Sequence, residues 1–157
     1  MTNKKQFIQE AIKLSQYAID NNKGGPFGVV VVKDGEIIGR GYNKVTSENN
    51  PILHAEIVAI QEACKKLGTF DLSGCEIYSS CEPCPMCLSA CYWAKLDKLY
   101  FANSRKDAKK VGFCDDFIYN EISLPIEERS LKTEKLENSE AIKVFEKWDK
   151  KENKIKY

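Results

Sequence analysis

The sequence contains only one histidine and no long apolar segment, and both features limit what the protein can do. Its 157 residues include one His, two Met and two Trp. No apolar run approaches the roughly 18 residues that a membrane span requires, so we expect no membrane segment. An excess of one charge is also missing, since 24 Lys and Arg stand beside 23 Asp and Glu. This balance argues against a dedicated binder of nucleic acid or of anionic membranes.

The amino-terminal residues lack the apolar core of a secretory signal, so we expect no export. The seven cysteines are an odd number, which does not fit a secreted disulfide framework. We therefore predict a reducing, cytoplasmic location, with thiols that bind a metal or react. A chain of this length with 43% apolar residues is sufficient for one domain, so we predict a single domain over 1–157.

Hydrophobic periodicity predicts alternating helices and strands. Residues 103–129 give the weakest pattern. Pro51 is expected to open the second helix with Asn50 as its cap, and Gly68 to end it. One sheet with helices on both faces is the economical packing for this order. The predicted helices are 3–21, 51–67, one from Pro83 or Pro85 through Tyr92, 116–121 and one marked by Ile142, Phe145 and Trp148; the predicted strands are 28–33, 36–42, 75–79, 97–102 and 130–136.

Two short segments carry metal-ligand residues. They are His54-Ala55-Glu56 and Pro83-Cys84-Pro85-Met86-Cys87, which together match the H-x-E…P-C-x-x-C signature of zinc-dependent base deaminases. A catalytic Zn²⁺ uses three nitrogen or sulfur ligands and leaves a fourth position to water. Cys84 and Cys87 are three residues apart in the first turn of a predicted helix, where the helix dipole favours thiolates. We predict one zinc per chain, held by His54, Cys84 and Cys87.

Glu56 is the candidate for proton transfer at this site. A carboxylate beside a metal-activated water acts as a general base and then as a general acid. Spacing alone does not place it, because His54 and Glu56 would differ by about 200° around a regular helix. The role of Glu56 therefore depends on the resemblance described below.

Two other metal sites remain as alternatives. Four cysteines have the C-x₂-C-x₂-C-x₃-C spacing of bacterial iron–sulfur proteins: Cys81, Cys84, Cys87 and Cys91. Tyr92 replaces the proline expected after this run, and a cluster leaves His54 without a role. A closed structural zinc is the second alternative, and a zinc-stabilised interaction module is its functional counterpart. We expect Cys64, Cys75 and Cys91 to be core residues.

Beyond the zinc signature, the chain resembles the bacterial guanine deaminases within the cytidine-deaminase-like fold. The resemblance implies an α/β protein with three α/β/α layers and a five-stranded mixed sheet. It also implies hydrolysis of guanine to xanthine and ammonia, a step in purine breakdown or salvage. The segments that carry it are Gly24–Gly28, Tyr42-Asn43, His54-Ala55-Glu56, Ser80–Leu88, Tyr92–Ala94, Gly112–Tyr119 and the terminal Tyr157.

The resemblance also implies roles for residues around the base. Asn43 and the backbone of Ala55 would hydrogen-bond the purine, and Phe27 and Trp93 would flank its plane. Asp115 would hold the purine edge and assist protonation of the leaving amine. Glu56 would carry protons between the water, the ring nitrogen and that amine.

The carboxyl-terminal region departs from the guanine deaminase pattern at one position. The resemblance also implies that this region contacts a second subunit. Cys114 stands where a second acid is common, so either Asp115 or Asp116 faces the substrate. The tail 150–157 would cross to the other subunit of a homodimer, where Tyr157 would close the neighbouring pocket.

Other substrates share the same zinc signature. A tRNA-specific adenosine deaminase flips a base out of an RNA loop and needs phosphate contacts. The balanced charge and the acidic pair Asp115-Asp116 argue against it, whereas the lysines of the tail favour it. Cytosine or another free amino-heterocycle is the remaining substrate alternative.

Overall fold

The structure is a computed structural model that describes residues 4–157. Residue 3, the predicted start of the first helix, lies outside this range. The chain divides into two compact units, Met1–Asp115 and Asp116–Tyr157. In the described part of the first unit, α-helices and β-strands follow in the order α1 Lys4–Asp20, β1 Gly28–Lys33, β2 Glu36–Tyr42, α2 Ala55–Leu67, β3 Cys75–Cys81, α3 Pro85–Trp93, β4 Lys98–Asn103 and α4 Arg105–Lys110.

The four strands form one mixed sheet in the order β2-β1-β3-β4. β1 pairs antiparallel with both β2 and β3, whereas β4 runs parallel to β3. A parallel neighbour requires a crossover connection, and α3 supplies it. The carboxyl end of β3 is therefore followed directly by the cysteine segment Cys84–Cys87.

The four consecutive valines of β1 are buried and alternate between the two faces of the sheet. Val29 and Val31 pack with the alanines of α2 and with Cys91 of α3. Val30 and Val32 pack with Tyr78 and with Phe7 of α1 on the opposite face. Burial on both faces explains why this strand lacks polar alternation. The three predicted layers are confirmed, with α1 on one side and α2 and α3 on the other.

Helix α2 lies very close to β2, and its position sets the site. A Cβ on Gly41 would be 2.0 Å from the carbonyl oxygen of Ala55, so only glycine permits this approach. At the free edge of β2, the backbone N–H of Arg40 donates to Glu62 at 2.9 Å. The Lys66 ammonium donates to the carbonyl of Ile37 at 3.3 Å. Glu62 and Lys66 both belong to α2, so this helix covers the edge of the sheet with one acidic and one basic side chain.

The second unit contains α5 Asp116–Ser123, a short 3₁₀ turn at Ile126–Glu128 and α6 Ser139–Asp149. None of these three elements contains a buried residue. Large apolar side chains are instead exposed along them, among them Phe117, Ile122, Val144 and Phe145. No helix within residues 4–157 combines the length and the apolar composition needed to cross a membrane.

Two expectations about elements are wrong, and one helix was not predicted. The sheet has four strands in the described chain, not five, because 130–136 forms no strand. A strand requires a partner for its backbone groups, and the second unit contains no other strand. Helix α2 begins at Ala55 instead of Pro51, since the Asn50 side chain accepts from the N–H of Ile52 and closes a turn. Helix α4 was not predicted, although its Ser104-x-x-Asp107 capping box is a recognisable start signal.

Candidate active site

The amino terminus of α2 brings His54 and Glu56 to the same place. His54 is the N-cap residue, with an extended backbone at φ −69° and ψ 157°. Glu56 is the second residue of the helix. Because His54 is not helical, the 100° step of a helix does not separate the two side chains. The angle of about 200° expected for a regular helix therefore does not apply, because α2 begins only at Ala55.

The amino terminus of α3 supplies the two thiols. Cys84 is its N-cap residue, with φ −68° and ψ 169°, and Pro85 occupies the first helical position. Proline fits there because that residue needs no N–H partner. Cys87 follows in the first turn and is buried. Unpaired N–H groups at this helix end favour negative charge on both sulfurs.

The three predicted ligands meet in a geometry that fits zinc. The Sγ atoms of Cys84 and Cys87 each lie 3.5 Å from Nδ1 of His54. A tetrahedral ion with Zn–S near 2.3 Å and Zn–N near 2.05 Å separates sulfur from nitrogen by about 3.6 Å. All three ligand atoms lie within 4.8 Å of one another. The donor set and its spacing therefore match a zinc site with a position left for water.

Within residues 4–157, this is the one group of three or more His, Cys, Asp or Glu side chains that could hold a metal. Neither Cys81 nor Cys91 belongs to it. The Cys81 thiol lies 3.7 Å from the carbonyl oxygen of Ser104, and Cys91 packs in the core below α2. Cys64 and Cys75 also belong to that core, as expected. The iron–sulfur arrangement is not formed.

The ligand side chains interact strongly with one another. The pKa of Cys84 falls to about 4, because the Cys87 thiol and then His54 donate hydrogen bonds to its sulfur. The pKa of Cys87 rises well above its usual range, because it holds the proton directed at Cys84 and is buried. The same thiolate raises the pKa of His54. Hydrogen bonding within this group therefore favours the thiolate form of Cys84.

Glu56 is a buried carboxyl beside this group. Its side chain is 6% exposed, and burial is the largest cause that raises its pKa. A hydrogen bond with the Cys87 side chain acts in the opposite direction. The carboxyl therefore makes a hydrogen bond with the side chain of a predicted ligand, Cys87.

Asn43 is buried at the end of β2 with its side-chain amide in a fixed orientation. Its Oδ1 accepts hydrogen bonds from the N–H groups of Gly25 and Val45, both at 3.1 Å. A Cβ on Gly24 would be 2.0 Å from this oxygen, which explains the glycine at that position. Because Oδ1 is already used, the Nδ2 group is the one available as a donor to a ligand.

The aromatic residues named by the resemblance lie in different surroundings. Phe27 is half-buried and meets Phe113 edge to face, with ring centroids 4.9 Å apart. Trp93 is the last residue of α3 and is 66% exposed.

Ala55 is fully buried at the first position of α2, where its N–H has no acceptor within the helix.

Asp115 is the last residue of the first unit and forms an ion pair. Its Oδ1 accepts from Nε of Arg105 at 3.1 Å. Burial raises the pKa of Cys81 to about 11, and the charges of Glu56, Glu82 and Asp115 raise it in the same direction. Sequence reasoning missed Arg105, and its signal was the capping box that starts α4.

Asp116 and Tyr157 belong to the second unit. Asp116 is the first residue of α5, and Tyr157 ends the chain with 74% of its surface exposed. The four zinc-site residues and Asn43 are all in the first unit. Which of the two aspartates faces a substrate stays a prediction.

A zinc-coordinating triad at two helix starts, with a buried glutamate beside it, defines a zinc-dependent deaminase. The family described as the cytidine and deoxycytidylate deaminase zinc-binding region matches residues 1–103. The chain belongs to this family, and its fold is cytidine-deaminase-like.

Relatives match over nearly the whole chain. Guanine deaminase from Bacillus subtilis (strain 168) is 44% identical over 155 residues, which cover 99% of each protein. The X-ray structure of guanine deaminase from Bacillus subtilis superimposes with a TM-score of 0.95 over 98% of each chain. A tRNA-specific adenosine deaminase from Aquifex aeolicus (strain VF5) is 34% identical over 148 residues, covering 94% of this chain and 95% of that protein.

Proposed function

We propose that the protein hydrolyses guanine to xanthine and ammonia. The observation that carries the proposal is the zinc triad with Glu56 buried beside it, in a chain that resembles a guanine deaminase along its whole length. The reaction consumes one water: the amino group leaves the ring as ammonia, and the same carbon becomes the second carbonyl of xanthine. His54, Cys84 and Cys87 would hold the zinc. When bound, zinc lowers the pKa of a water molecule towards neutrality.

Glu56 moves the protons of this reaction. Its carboxylate takes a proton from the attacking water and passes it to the ring nitrogen next to the reacting carbon. It then transfers the second proton to the departing amine, which leaves as neutral ammonia. A buried carboxyl is suited to this exchange, because removal from water brings its proton affinity closer to that of its partners.

Asn43 and Ala55 recognise the polar edge of the base. The fixed amide of Asn43 presents Nδ2–H, which suits a carbonyl oxygen or an unprotonated ring nitrogen of a purine. The N–H of Ala55 is free of the helix and can donate to a second acceptor. Two donors fixed by the fold therefore face a ligand that offers acceptors.

Phe27, Trp93 and Asp115 complete the pocket. Edge-to-face contact with Phe113 holds the Phe27 ring in place, and we assign this ring to stacking on a planar base. Asp115 accepts hydrogen bonds from N–H groups of the guanine edge. A carboxylate there favours guanine, whose amino group and adjacent ring N–H are both donors.

The assembly we propose is a homodimer in which Tyr157 reaches the pocket of the partner subunit. Support comes from the second unit, where α5 and α6 bury no side chain although both carry large apolar residues. Such surfaces are rarely left open in a folded protein. Sedimentation equilibrium should give twice the mass of 17.8 kDa. A monomer at micromolar concentration contradicts this part of the proposal.

The cytoplasmic location also belongs to the proposal. It is supported by the seven cysteines, which are all free thiols. A reducing compartment keeps such thiols available for metal binding.

Ammonia release from a panel of guanine, adenine, cytosine, cytidine and tRNA tests the substrate. Guanine should be turned over with the highest kcat/KM, and xanthine should appear in equal amount. Turnover of tRNA with binding that weakens as salt rises identifies the tRNA-specific alternative instead. Turnover of cytosine alone identifies the second alternative.

Glu56→Gln tests the mechanism, and Glu62→Gln on the same helix is its matched control. Glu56→Gln keeps the shape of the side chain and should retain zinc, but kcat should fall about 10²- to 10⁴-fold. Glu62 bonds the Arg40 backbone at the edge of the sheet, so its variant should keep normal turnover. Wild-type kcat in Glu56→Gln would remove Glu56 from the reaction.

A further inference from the structure

We propose that Arg105 is a positioning residue that fixes the Asp115 carboxylate for the substrate, an inference that rests on the proposed function. Nε of Arg105 lies 3.1 Å from Oδ1 of Asp115. The two side chains are 28% and 19% exposed, so the pair is only partly exposed to water. A hydrogen-bonded guanidinium restricts the rotation of a carboxylate and leaves Oδ2 as its second acceptor.

The backbone of Arg105 is itself anchored to the segment that carries the zinc ligands. Its N–H donates to Oε2 of Glu82 at 3.0 Å, and the N–H of Glu82 donates to the carbonyl of Asn103 at 2.8 Å. Glu82 lies two residues before Cys84. A continuous chain of contacts therefore runs from the cysteine segment through Glu82 and Arg105 to Asp115.

The start of α4 holds Arg105 at a defined place. Ser104 caps the helix and accepts from the N–H of Asp107, while the Asp107 carboxylate accepts from the backbone and hydroxyl of Ser104. Arg105 is the first residue after this cap. Its Cα position is therefore set by the capping box and by Glu82 together.

The segment before Asp115 is held from the other side by an aromatic contact. Phe113 meets Phe27 edge to face, and Phe27 is proposed to stack on the base. Asp115 lies two residues beyond Phe113. Its carboxylate is thus fixed by Arg105, and its backbone by the wall of the substrate pocket.

Loss of the guanidinium frees the carboxylate while leaving it in place. We expect Arg105→Gln to lower kcat/KM for guanine about 100-fold, since a displacement near 1 Å at a site costs about that factor. Arg105→Lys retains a cation and should recover to within about tenfold of wild type. Zinc content should remain one per chain, and the thermal midpoint should stay within about 4 °C, because a partly exposed ion pair adds little stability.

Arg40→Gln is the matched control. Arg40 also forms an ion pair through Nε, at 3.6 Å from Glu10, but it lies on β2 away from the ligand segments. It should have normal kcat/KM. A loss in this variant equal to that of Arg105→Gln would show a general effect of removing an arginine and would overturn the inference.

A double-mutant cycle with Asp115→Asn tests whether Arg105 acts through Asp115. In the Asp115→Asn background, Arg105→Gln should lower kcat/KM by less than about twofold, because the carboxylate is already gone. If the loss of kcat/KM in the double variant equals the product of the two single-variant losses, the residues act independently and the inference is overturned. The affinity for xanthine, measured by calorimetry, should fall in each single variant and fall no further in the double variant.

The two proposals fail in different ways. A wild-type protein that releases no ammonia from guanine contradicts the proposed function. A wild-type protein that turns over guanine, with Arg105→Gln at the wild-type rate, contradicts the role of Arg105 alone. If Arg105→Gln does not fold, Arg105→Lys in the same cycle decides the question.

Discussion

The close approach of α2 to β2 leads to a prediction about Gly41. A Cβ at this position would lie 2.0 Å from the carbonyl oxygen of Ala55 and 2.6 Å from the nitrogen of Ala59. Both are backbone atoms, so no side chain can move aside. Gly41→Ala must therefore push the first turn of α2 away from the sheet.

The required displacement is at least about 1 Å, since Cβ contacts below 3.0 Å are essentially never found. Overpacking of this kind costs about 1–3 kcal/mol in the free energy of unfolding. For a chain of this size that lowers the thermal midpoint by about 2–12 °C. The moved turn carries His54 and Glu56, so zinc affinity and turnover should each fall about tenfold or more beyond the stability loss.

Gly39→Ala supplies the control on the same strand. Its Cβ would lie 2.3 Å from the carbonyl oxygen of Ala59, one turn further along α2 and away from the ligands. It should lower the thermal midpoint similarly while folded protein keeps its zinc affinity. Melting by circular dichroism and zinc titration against a competing chelator measure the two effects. Equal zinc affinity in both variants would refute the link between the glycine and the site.

Three further predictions follow from the described contacts. Cys84→Ser should reduce bound zinc, measured by atomic absorption, to below one tenth per chain, whereas Cys64→Ser in the core should leave it unchanged. Ser104→Ala should destabilise the protein by about 0.5–2 kcal/mol in chemical unfolding, through loss of the α4 cap, with zinc content retained as the control. The pKa of Asp107 is lowered to about 2, chiefly by its bond to the Ser104 hydroxyl, so its contribution is complete above the unfolded pKa near 3.9 and is lost as pH falls towards 2. Asp107→Asn should flatten that acid limb of stability, and an unchanged limb contradicts this assignment.

Parts of the sheet were predictable where the local apolar pattern alone indicates the element. Four adjacent valines have the composition of a strand buried on both faces, and the structure confirms such a strand at Val29–Val32. The segment 130–136 shows the limit of such reasoning. Its residues resemble a strand locally, but pairing depends on a neighbour that the sequence pattern does not specify.

The metal ligands were predictable because residue type and spacing carry the chemistry. His54, Cys84 and Cys87 are brought together as expected. The relation of Glu56 to His54 was not predictable from helical spacing, because it depends on the backbone of an N-cap residue. The Glu82–Arg105–Asp115 contacts were missed for a similar reason, since they join segments 23 and 10 residues apart through side-chain geometry.

The bonds from Glu62 and Lys66 to the outer backbone of β2 bear on how copies of the protein can associate. An open strand edge is a template for adding another strand, and it promotes aggregation when unprotected. On β2, the N–H of Arg40 and the carbonyl of Ile37 are already occupied by an i, i+4 pair of side chains. Another strand could therefore pair along this edge only if both of these bonds were broken.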